Sequence, residues 1–131
     1  MKPGKRPLSD NCRAVSEVLA RVGDKWTVLV VFTLGRGAMR FNELKRGVDG
    51  ISQRMLTLTL RALERDGLVT RTVFPSIPPR VEYELTQLGQ SLLSPVSELA
   101  GWAIDHRGAI DSARKTFDAR ADAKTVKPRA A

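Results

Sequence analysis

Side chains that commonly carry covalent or metal chemistry are scarce in this chain of 131 residues, which has one cysteine, Cys12, and one histidine, His106. A zinc site or a disulfide framework requires several such ligands, so no metal is expected, and no cofactor either. No glycine-rich phosphate loop follows a strand, the carboxylates are scattered over solvent faces, and one cysteine and one histidine offer no nucleophile with a dedicated base. These features predict no catalytic residues and no enzyme. What the sequence concentrates instead is a face. Leu56, Leu60 and Leu63 recur at i, i+4 and i+7, the stripe of a buried helix side, with Ser52 placed to cap its start and Gly67 to stop it. The outward positions are then Gln53, Arg54, Thr57, Leu58, Arg61 and Arg65. Amide, hydroxyl and guanidinium groups of this kind suit the edges of bases and the oxygens of phosphates.

The elements needed to hold such a face can be traced along the chain. Val15, Val18, Leu19 and Val22 form the apolar stripe of a first helix, with Asp10 or Asn11 as its cap and Gly23 as its stop. Asp24 caps a second helix, in which Trp26, Leu29, Val30 and Leu34 face inward before Gly35 and Gly37 break the pattern. A short segment over 38–40 leads into a brief third helix over 41–46, with Phe41 and Leu44 as its apolar pair, and a turn over 47–50 separates it from the helix that follows Ser52. Beyond Gly67 the apolar period changes from 3.6 to 2, which predicts strands over 68–74 and 80–85 joined by a tip stiffened by Pro75, Pro78 and Pro79. Thr86 caps a last long helix carrying Leu88, Leu92, Val96, Leu99 and Ala103, with Pro95 as a kink. Residues from Ser112 onward are alanine-rich and charged, and read as mobile.

The formal charge is +8, and its distribution is uneven. Residues 1–13 and 107–131 contribute +3 and +4, and within the middle the stretch 36–80 holds nine basic residues against four acidic ones. A clustered positive field of this kind attracts nucleic acid, although basic excess also serves solubility alone. The longest apolar stretch, around Val28 to Leu34, is far below the about 20 residues of a membrane span, so no membrane partner is expected. The charged, apolar-poor amino end is unlike an export signal and predicts a cytoplasmic location.

Short helix, turn, capped helix with a basic face, and hairpin, in that order, describe a mainly α fold with a small β hairpin, the winged helix-turn-helix. Its hairpin flanks the DNA backbone or minor groove, which makes Arg71 and Arg80 candidates beside the helix face, with minor-groove insertion the reading for Arg80. Specific residues also carry a resemblance. Cys12, Val22-Gly23-Asp24-Lys25-Trp26, Arg40-Phe41-Asn42-Glu43-Leu44, Gly50-Ile51-Ser52-Gln53-Arg54-Met55-Leu56, Leu63-Glu64-Arg65-Asp66-Gly67-Leu68-Val69 and Pro78-Pro79-Arg80-Val81-Glu82-Tyr83 stand in one order over about residues 10–105. That set resembles the HxlR-type transcription regulators.

The resemblance implies a homodimer on double-stranded DNA, its first and last helices forming the dimer contact through Val15, Leu19, Leu92, Val96, Leu99 and Trp102. The DNA-facing set is Arg40, Ser52, Gln53, Arg54, Thr57, Leu58, Arg61, Arg71 and Arg80. Residues 1–11 are then a basic arm, 12–107 the winged helix-turn-helix domain and 108–131 a basic mobile tail. The expected function is sequence-specific regulation, as a repressor on a palindromic operator, with a small-molecule effector left open. Nonspecific DNA coating and a protein-interaction module are the alternatives, and the basic face argues against the second.

Two departures from the family pattern stand out. Arg13 replaces the usual proline after the cysteine, and Leu58 stands where a polar residue is usual, either to touch a thymine methyl or to pack under the wing. Some members that resemble this chain use a cysteine at this point as a redox or electrophile sensor. A helix start beside Arg13 would favour the reactive thiolate of Cys12, whereas a thiol buried against the dimer partner would be inert. His106 reads as a solvated or capping residue.

Overall fold

The computed structural model describes residues 12–126. The basic arm and the caps expected at Asp10 or Asn11 lie outside the described residues, as do 127–131 of the tail. The order of elements is α1 (Cys12–Val22), α2 (Lys25–Leu34), β1 (Met39–Arg40), α3 (Phe41–Gly47), α4 (Gln53–Arg65), β2 (Val69–Phe74), β3 (Arg80–Leu85) and α5 (Gln87–Val126). This is the mainly α winged helix-turn-helix. Its sheet has three antiparallel strands in the order β1-β3-β2, so the expected hairpin gains a strand that sequence reading left as a connector. Two residues, Met39 and Arg40, pair with Tyr83 and Glu82, a length too short to display alternation.

Local chemistry accounts for the boundaries. Asp24 Oδ2 accepts from Thr27 N at 3.1 Å and Ser52 Oγ accepts from Met55 N at 3.0 Å, so both expected caps satisfy first-turn donors. Between α3 and α4 the chain reverses at Gly50, whose φ of 84° suits glycine. Helix α4 ends in a Schellman pair, with Leu68 N donating to Leu63 O at 2.9 Å and Gly67 N to Glu64 O at 3.1 Å, and with Gly67 at φ 77°. Thr86 then ties α5 to the sheet's root, for its hydroxyl donates to Gly67 O at 2.6 Å and accepts from Gly89 N at 3.0 Å.

The described residues fall into two compact units, the first ending at Val96 and the second beginning at Ser97. In the first, Val30, Val31 and Leu34 of α2, Leu44 of α3, Leu56, Leu60 and Leu63 of α4, and Val69 and Leu85 of the wing build one core. Trp26 and Phe41 pack against it half-buried, whereas Leu29 is exposed; the inward face of α2 turns through Val31 instead. No residue of α1 is fully buried, and Val18 and Leu19 are exposed, so its stripe is not part of this core. Val96, expected at a dimer contact, is only 4% exposed and belongs to the interior, and Leu92 packs half-buried against the core.

The second unit is helical throughout its described residues, and the segment from Ser112, expected as mobile, continues as helix to Val126. Alanine, arginine and lysine are strong helix formers, and no glycine or proline interrupts them after Gly108 within the described residues. Trp102 and His106 stack here at 4.6 Å between ring centroids, with His106 Nδ1 2.8 Å from the Trp102 carbonyl oxygen. No helix among the described residues is long and apolar enough to cross a membrane, and no group of three or more ligand-type side chains is placed to hold a metal ion.

Candidate nucleic-acid interface

Helix α4 is two-sided. Leu56, Thr59, Leu60 and Leu63 are buried, which fixes its rotation and leaves Gln53, Arg54, Thr57, Leu58 and Arg61 in solvent. Ser52 is committed to capping, and the Thr57 hydroxyl donates to the Gln53 carbonyl oxygen at 2.9 Å while keeping its lone pairs free. Arg54, Arg61 and Arg71 form no ion pair among the described residues, whose two pairs are Arg21–Asp66 and Arg80–Glu82. Leu58 is 49% exposed and presents a methyl-bearing surface to solvent.

The wing completes the surface. A crevice of about 410 Å³ between α4 and the sheet is lined by Thr57, Leu60, Arg61, Glu64, Arg71 and Tyr83. It brings three of the expected DNA-facing residues together, Thr57, Arg61 and Arg71, although Arg71 is remote from the others in sequence. Tyr83 was missed. It is half-buried on β3, opposite Arg71 in the ladder, and that pairing across the strands is what brings it to the crevice. Arg40 is exposed at the junction of β1 and α3, where its backbone N–H donates to Glu43 Oε1 at 2.8 Å.

Arg80 differs from expectation. Its guanidinium lies 4.1 Å over the Phe74 ring, its cross-strand partner, and its Nε stands 3.1 Å from Glu82 Oε2. The Nε–H is not aligned on that oxygen as a hydrogen bond, so the contact is an ion pair stacked on an aromatic face. Arg80 thus ties β3 to Phe74 of β2, with its side chain 37% exposed.

Elsewhere, a groove of about 680 Å³ runs between α1, the end of α4 and the start of α5, with Val18, Leu68, Leu88 and Leu92 among its walls. The Arg21–Asp66 pair, at 2.9 Å between Nε and Oδ2, joins α1 to the residue that caps α4. Cys12 is free and exposed at the start of α1, its sulfur 4.0 Å from Ser16 Oγ.

The family model described as HxlR-like helix-turn-helix matches residues 21–111, which include every element of this surface. The chain belongs to the HxlR-like helix-turn-helix family. It is therefore a helix-turn-helix transcriptional regulator, of a class that binds DNA and is not enzymatic. An HTH-type transcriptional regulator of Escherichia coli K12, YtfH, itself uncharacterised, is 44% identical over 86 residues, covering 66% of this chain and 68% of its own. Among solved structures, a Salmonella typhimurium protein assigned as the transcriptional regulator ytfH superposes with a TM-score of 0.71 at 39% identity, over 77% of this chain and 90% of that one. The redox regulator HypR in its reduced form gives 0.70 at 40% identity, over 76% and 98%. The HxlR-like match embraces α3, α4 and the wing.

Proposed function

We propose that this HxlR-like protein represses transcription by binding a palindromic operator as a homodimer, with α4 reading the major groove. The observation that carries the reading is the solvent face of α4, where Gln53 and Arg54 stand without competing salt bridges over a helix rotated by buried leucines. Arg suits guanine and Gln suits adenine in a bidentate manner, while Arg61 and Arg71, which line the wing-side crevice, would meet backbone phosphates. Ser52 caps the same helix and Arg40 is exposed at the start of α3, and both are kept as DNA-facing candidates. The cytoplasm is where such DNA lies.

Dimerisation is supported by apolar side chains left in solvent on α1, including Leu19, and in the second unit, where Leu99 is exposed and Trp102 is 53% exposed. Val15 is half-buried on α1 and is kept in the proposed contact. Val96 is dropped from it. The likeness to a redox regulator, together with the exposed Cys12 thiol, supports a redox or electrophile response at α1.

The test is selection of duplexes from a random pool, followed by footprinting against bulk competitor DNA. Enrichment of an inverted repeat, protected at two half-sites about one helical turn apart, is the expected result. Equal binding to all sequences would make the protein a nonspecific coating factor instead.

A further inference from the structure

The tip of the wing, residues 75–79, carries Ile77 in full solvent at 102% relative exposure, the highest of the large exposed hydrophobic side chains described. An isoleucine is ordinarily worth burying, and a single exposed one needs no explanation. This one is presented. Pro75, Pro78 and Pro79 fix φ around it. Ser76 N donates to the Phe74 carbonyl oxygen at 2.8 Å and Ser76 Oγ to that of Pro78 at 2.7 Å, which closes the tip on itself. Directly below, the last rung of the β2–β3 ladder joins Phe74 to Arg80, and Arg80 is held over the Phe74 ring and against Glu82. From Thr72 to Pro79 no residue is charged. The strand roots meanwhile border α4 through the crevice that contains Arg61, Arg71 and Tyr83.

A wing can meet the minor groove with a cation or with an apolar wedge, and here the cation is withdrawn to the strands while the tip offers isoleucine between prolines. We propose that Ile77 enters the minor groove as an uncharged wedge, partly unstacking one base step and bending the DNA next to each α4 site. The step favoured is a flexible pyrimidine–purine step, which opens at least cost, so the wing adds sequence preference where no polar group reads a base. This inference rests on the DNA-binding reading above.

The experiment uses the full-length protein and the duplex selected by it, with 2-aminopurine placed in turn at the steps flanking the α4 site. Wild type is expected to raise the fluorescence at one flanking step and to bend the duplex in a circular-permutation assay. Ile77→Ser is expected to abolish the fluorescence rise, reduce the bend and weaken binding about tenfold, the order for withdrawing one apolar side chain from a dry contact. Its salt slope stays that of wild type, since no phosphate contact is lost. Ile77→Leu is expected to restore affinity and bend. Ile77→Ser binding and bending like wild type, or a changed salt slope, overturns the wedge while leaving α4 as the reader. Failure of the wild type to bind any duplex overturns the DNA-binding reading and the wedge together, whereas failure of the wedge alone leaves binding that Arg54→Ala still weakens.

Discussion

Arg54 and Arg80 are both guanidinium groups near the same surface, yet their surroundings assign them opposite work. Arg54 is exposed on α4 without an ion pair, so Arg54→Ala is expected to weaken specific binding by about 1 to 3 kcal/mol and relax the preference at one base position. Competition titrations against random DNA check this; equal weakening on both DNAs would reassign Arg54 to a phosphate. Arg80 is stacked on Phe74 and paired with Glu82, so Arg80→Ala is expected to lower affinity across sequences by loosening the wing while leaving the salt slope unchanged. A slope reduced by about one unit would instead put its guanidinium on a phosphate. Cys12 is exposed, and operator binding by wild type is expected to fall after diamide while Cys12→Ser is unaffected. Equal, unaltered binding by both proteins would make the thiol structural.

At the scale of elements, the junction of α4, the wing and α5 leaves no room for a side chain at Gly89. A Cβ built at Gly89 would overlap the Leu68 carbonyl oxygen, the same oxygen that accepts from Thr86 N. Gly89→Ala therefore requires the start of α5 to move away from the sheet's root, and a loss of about 2 kcal/mol or more is expected in thermal unfolding. An unchanged melting temperature would mean that the junction is loose in solution. Loss of the cap in Ser52→Ala is expected to cost about 1 kcal/mol, read in the same assay, and to lower DNA affinity by fraying the turn that carries Gln53 and Arg54.

The whole molecule is expected to be a two-fold dimer. Two α4 helices about 34 Å apart would enter successive major grooves, and a lone domain of this size makes few base contacts. Leu19→Glu and Trp102→Glu each place a charge on an exposed apolar position, and either is expected to shift sedimentation velocity at micromolar concentration toward the monomer. Wild type sedimenting as a monomer, with one half-site protected, would overturn the dimer. A weakened dimer should also lose affinity for the inverted repeat more than for a single half-site, since only the former engages both copies.

Much of this protein was legible in one dimension, because helices announce themselves by local chemistry. Ser52, Asp24 and Thr86 cap the helices expected of them, and the i, i+4, i+7 leucines fix which side of α4 is buried and so which polar groups remain outside. The resemblance carried by the Gly50 to Leu56 and Leu63 to Val69 blocks likewise needs no coordinates. What the sequence could not determine depends on partners distant along the chain. The pairing of Met39 with Tyr83, the withdrawal of Arg80 onto Phe74, the burial of Val96 and the joining of Arg71 to Arg61 are each set by neighbours that no local period encodes. Side-chain type fixes what chemistry a residue can do, whereas the fold decides which residues are already engaged with one another and which, like Arg54 and Ile77, are left free to meet something else.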